Sequence, residues 1–175
     1  MAVSKSLAVL DVDRPNALGV VLSAALPLAV FVIANGIAEL NGALPLFFSP
    51  LGLPGWVGAA LYLGALPLFG IARWMVAGRG ETGRRAGWWI VALIAGTIGF
   101  PFVVAPLDSL MLSLVALALL VVGLGAMVRA GDVDPKAAVV MAPGMAWLGL
   151  SAFVGLSFAA AWSPPFAVTN SQGGA

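Results

Sequence analysis

The chain has 175 residues, 62% of them hydrophobic and 9% charged, with a net charge of +1. A typical soluble domain carries about 25% charged residues, so this is not the composition of a water-soluble domain, and the near-neutral balance gives no case for nucleic acid. There is no cysteine and no histidine. Disulfides, thiol catalysis and thiolate metal sites are therefore excluded, and so are the commonest general base and haem ligand.

A bilayer core about 30 Å thick needs roughly 20 apolar residues per helix. Five runs meet that length, at about Ala17–Ala38, Gly55–Met75, Gly87–Val104, Ser109–Val128 and Ala137–Ala161. Residues 1–16 form a polar tail, with Asp13 or Asn16 placed to cap helix 1 and Pro15 in its first turn. The first run is longer than a signal-peptide core and reads as a retained helix. It contains Pro27 and, near its end, Asn35 and Glu39 on one face.

The next connection, Leu40–Pro54, holds three internal prolines, Pro45, Pro50 and Pro54, and the pair Phe47 and Phe48. It is apolar for an exposed loop. Two readings are open: a lid over a cavity in the bundle, or a wedge in the headgroup zone. Helix 2 ends in Ala72-Arg73-Trp74, and the glycine-rich segment 77–85 reads as a mobile inner loop whose Arg84 and Arg85 can touch anionic lipid. Helix 3 begins at Trp88 and Trp89 and ends at Phe100-Pro101-Phe102. A very short turn with Asp108 or Ser109 as N-cap leads to helix 4, whose Leu and Val content suits a lipid-facing span. Asp134-Pro135 makes a second capped turn. Helix 5 carries Ser151, Gly155 and Ala159 at four-residue spacing, a face for close packing within the bundle or across a dimer. Residues 163–175 read as a disordered tail.

All eight Lys and Arg residues fall on one side of this map: Lys5, Arg14, Arg73, Arg79, Arg84, Arg85, Arg129 and Lys136. Cytoplasmic loops keep Lys and Arg. The expected fold class is thus an all-α integral membrane protein, a five-transmembrane-helix bundle with its N-terminus cytoplasmic and its C-terminus outside. Glu39 and Asp108 lie at outer helix ends and Arg73 is one or two turns from the cytoplasm, where it can snorkel, so no ionisable residue marks an ion path at mid-membrane. Five of the six tryptophans sit at membrane boundaries, as an aromatic belt would. Trp147 and Tyr62 lie deeper, where they serve as core or as walls of a flat apolar pocket.

The stretch Pro54–Val76 resembles the second-helix signature of the TspO/MBR family, the tryptophan-rich sensory and translocator proteins. Trp56 matches its first tryptophan, Tyr62 stands at the second, and Gly70-Ile71-Ala72 with Trp74 matches its end. Ala142–Phe153 is similar to the helix 5 segment, with Pro143 and Trp147 matching and Gly144 in a tyrosine's place. Phe100-Pro101-Phe102 resembles the end of helix 3, and Asp108 the start of helix 4. Gly96 and Gly99 stand where the family has asparagine and tryptophan, and the sterol-recognition tyrosine has no counterpart.

The resemblance implies a membrane receptor that binds porphyrin, less so sterol, beneath the first outer loop, and that often dimerises. It assigns Trp56, Tyr62, Trp147, Phe100 and Pro101 to the ligand site; Phe47 and Phe48 join them from the lid reading. No cofactor or metal is required. Without His or Cys, a metal-free porphyrin is favoured over haem. The expected partners are the lipid bilayer, a small apolar ligand and a second copy or larger complex. The expected location is the bacterial cytoplasmic membrane. The alternative is a non-catalytic structural subunit of a photosynthetic or respiratory assembly. Porphyrin degradation through reactive tryptophans is a minor third reading.

Overall fold

The computed structural model describes residues 17–47, 49, 53–104 and 107–162. Phe48, the tail 1–16 with its candidate caps, and the tail 163–175 lie outside these residues. Five helices follow one another: α1 Ala17–Leu40, α2 Gly55–Ala77, α3 Gly80–Val103, α4 Ser109–Val133 and α5 Pro135–Trp162. Each is long and apolar enough to cross a bilayer. The protein is an all-α integral membrane protein.

Local chemistry explains most of the helix ends. α1 stops at Gly42, whose φ of 73° an L side chain rarely adopts. Gly42 N–H donates to Glu39 O and Ala43 N–H to Ala38 O, a Schellman closure that satisfies the last carbonyls. Asp108 caps α4, its carboxylate accepting from Met111 N–H at 2.8 Å. Asp134 ends α4 and starts α5: its side chain accepts from Lys136 N–H at 3.0 Å, while Pro135 fills the first helical position.

Two boundaries differ from the sequence expectation. The inner segment read as a mobile glycine-rich loop is helical from Gly80, leaving Gly78 and Arg79 as the link. Glu81 accounts for this. It pairs with Arg84 at 2.6 Å and Arg85 at 3.2 Å, so the polar turn has helical (i, i+3) and (i, i+4) partners. α4 also runs to Val133, five residues beyond the expected Val128.

α2, α3, α4 and α5 pack in a closed ring, each against its neighbours and α5 back against α2; α1 lies outside, mainly on α2. The buried centre includes Phe69, Ile90, Leu93 and Met141. α1 buries only Pro27 and Phe31. Its seam with α2 includes two close approaches, Gly19 against the Trp74 indole and Gly70 against Ser23. Pro27 has no N–H, so the carbonyl four residues earlier, Ser23 O, lacks its helical donor. That oxygen faces Gly70 of α2, where a Cβ would run into it. A glycine Cα–H is the only group that fits there.

Two contacts orient the ends. Arg79 pairs with Asp134 at 3.3 Å, so the α2–α3 and α4–α5 links share one end, the basic end. At the opposite end Leu46 N–H donates to Pro101 O at 2.9 Å, tying the α1–α2 loop to the end of α3.

Candidate functional site

A cavity of about 250 Å³ lies inside the four-helix ring at the end away from the arginines. α2 supplies Tyr62, α3 Phe100, α4 Leu112, Ala116 and Leu119, and α5 Leu148 and Ser151. Val104 follows α3, and Leu46 and Phe47 close the cavity from the α1–α2 loop. Of the two readings of that loop, residues 46 and 47 take the lid position.

Proline chemistry builds the wall. Pro101 lies inside α3 and cannot donate to Thr97 O. A carbonyl left without a partner in a dry interior is costly. Tyr62 resolves it: its phenol donates to Thr97 O at 2.7 Å, and both residues are buried. Thr97 in turn donates from Oγ1 to Leu93 O at 2.8 Å. Pro101 therefore acts through its backbone twice, by freeing the carbonyl that fixes Tyr62 and by accepting the loop's Leu46 N–H.

The aromatic side chains form a run. Phe47 is 6.1 Å from Phe31 and 5.9 Å, edge on, from Tyr62. Tyr62 stacks on Phe100 at 6.3 Å, and Phe31 meets Phe102 at 5.8 Å. Such centroid distances fall in the attractive range for ring pairs. The run joins the lid to three helices with no charged group on the cavity wall.

Of the residues assigned from sequence, the structure brings together Phe47, Tyr62 and Phe100, with Pro101 behind them. Trp56 does not join them: it stands at the start of α2, 71% exposed, where an interfacial indole belongs. Trp147 packs against the buried core cluster and is not on the cavity wall. The small-residue face divides. Ser151 lines the cavity. Gly155 packs against Ser113 of α4, a contact within the bundle. Ala159 lies in α5, with its side chain outside the described residues.

Sequence reasoning missed the aliphatic walls. α4 reads as lipid-facing, yet gives the cavity three side chains. The available signal was Ser113, fully buried on α4 and pointing that helix inward.

A second, more open apolar groove runs between α3 and α4, past Gly96, Gly99 and Val115. It shares Phe100 and Leu119 with the cavity, so these two side chains form the partition between them. Among the described residues no group of three or more His, Cys, Asp or Glu is placed to hold a metal. Comparison with family models, curated proteins and solved structures returns no match.

Proposed function

We propose that this protein is a TspO-like membrane receptor that binds a flat apolar molecule, a tetrapyrrole before a sterol, in the cavity beneath the α1–α2 loop. The observation that carries the reading is the lidded cavity itself. Its walls are aliphatic and aromatic, its one phenol is committed to Thr97 O, and its lid is tied by the Leu46 N–H to Pro101 O bond and the Phe47 ring contacts. Ligand sites are usually about 300–1,000 Å³ and mostly apolar. At about 250 Å³ this cavity suits a small planar molecule as it stands. A tetrapyrrole enters with Leu46 and Phe47 displaced outward. The walls offer no general base and none of the usual His or Cys ligands for haem iron, which favours non-catalytic binding of a metal-free ring.

The basic end is proposed to face the cytoplasm of a bacterial inner membrane. This puts the N-terminus inside, the C-terminus outside and the lid on the outer surface. A sensing or transport role follows from a ligand reached from that side.

The test is a fluorescence titration of the purified protein with protoporphyrin. Saturable quenching of tryptophan is expected, and it is lost in Leu119→Trp, which fills the cavity. Linear quenching in the wild type, together with co-purifying membrane subunits, would instead favour the structural-subunit alternative.

A further inference from the structure

We propose that the groove between α2 and α3 at the basic end holds the phosphate headgroup of an anionic membrane lipid, with Arg73 as its main partner. The groove has a volume of about 270 Å³ and is lined by Arg73, Ala77, Arg84, Gly87, Trp88 and Val91 among others. The charge arrangement around it is uneven. Arg79 is paired with Asp134, and Arg84 and Arg85 share Glu81. Arg129 lies over the Trp89 ring at 4.4 Å. Arg73 alone among the described arginines has no ion pair, side-chain hydrogen bond or ring contact.

Arg73 also stands within the α2 span, four residues before its end, about 6 Å at 1.5 Å per residue. A guanidinium there reaches toward the interface along its own stem, where it meets the lipid headgroup level. The planar fork binds a phosphate through two parallel hydrogen bonds. The rest of the groove selects a lipid over free phosphate. Ala77 and Gly87 leave the cleft open between two apolar spans. Trp88, 69% exposed, is positioned for the glycerol level, and Val91 lies one turn deeper for the start of an acyl chain. Arg84 forms the second wall. Arg85 is outside the groove and serves as the control.

The experiment compares lipids of identical chains, phosphatidylglycerol and phosphatidylcholine, by native mass spectrometry of the full-length protein released from detergent. Wild type is expected to retain phosphatidylglycerol with about a tenfold preference. Arg73→Gln reduces that preference to near parity, and Arg85→Gln leaves it intact. Glycerol 3-phosphate added in excess does not displace the lipid. No preference in the wild type, or a full preference in Arg73→Gln, overturns the proposal. Equal loss in Arg85→Gln reduces the effect to net charge and also overturns it. Displacement by glycerol 3-phosphate overturns the assignment to a lipid.

Discussion

Replacing Tyr62 by phenylalanine removes one oxygen and leaves the ring in place. The hydroxyl donates at 2.7 Å to a carbonyl that Pro101 has deprived of its helical donor. Thr97 is fully buried and Tyr62 is 6% exposed, so the carbonyl is left facing an apolar interior. An unsatisfied buried acceptor costs about 1–3 kcal/mol. Side-chain hydrogen bonds between membrane helices average only about 0.6 kcal/mol, because the unfolded chain in the membrane finds other partners. Here Pro101 has removed the carbonyl's regular helical donor, so a loss of about 1–2 kcal/mol is expected, or 5–30-fold in the folding equilibrium.

The same substitution in a Pro101→Ala background is the decisive comparison. Alanine supplies an N–H to Thr97 O, and Tyr62→Phe should then cost about 0.5 kcal/mol or less. Unfolding in mixed micelles, followed by circular dichroism, measures both arms of the cycle. Equal losses in the two backgrounds, or no loss in either, would refute the argument that proline and tyrosine are coupled through this carbonyl.

Other outcomes follow from the same geometry. Gly70→Ala pushes a methyl group into Ser23 O and should cost about 1–3 kcal/mol, read as loosened α1 in cross-linking between α1 and α2. Asp108→Ala removes the α4 cap and should cost about 0.5–2 kcal/mol, measured by the same micelle unfolding. Leu46→Pro deletes the donor that ties the loop to Pro101 O; protoporphyrin should then associate faster in stopped-flow quenching. Phe100→Ala removes half of the partition between the cavity and the α3–α4 groove, so ligand release should also quicken.

The spans were legible because lipid demands a long apolar run for each crossing, and five such runs are unmistakable. The segment from Gly80 to Ala86 was not, because its glycines read as loop; the pairing of Glu81 with two arginines becomes visible only once a helix is assumed. In the cavity, Phe47 was legible from its apolar loop and Tyr62 from its depth in a span, while Phe100 came only from the family resemblance. Leu112, Ala116, Leu119 and Leu148 were not legible. Where solvent and core are equally apolar, no alternation of polar and apolar residues marks the inward face of a helix. The dense tryptophans misled for a related reason: an indole suits an interface or a core as well as a ligand wall, and Trp56 and Trp147 take those other places.

A photoactivatable apolar probe, cross-linked to the purified protein and mapped by peptide mass spectrometry, tests the ligand site most directly. The account expects labels at Leu46–Phe47, Tyr62, Phe100, Leu112–Leu119 and Leu148–Ser151, displaced by protoporphyrin. Labels spread over the exposed faces at Val21, Ile33 and Val121, and unmoved by protoporphyrin, would contradict it.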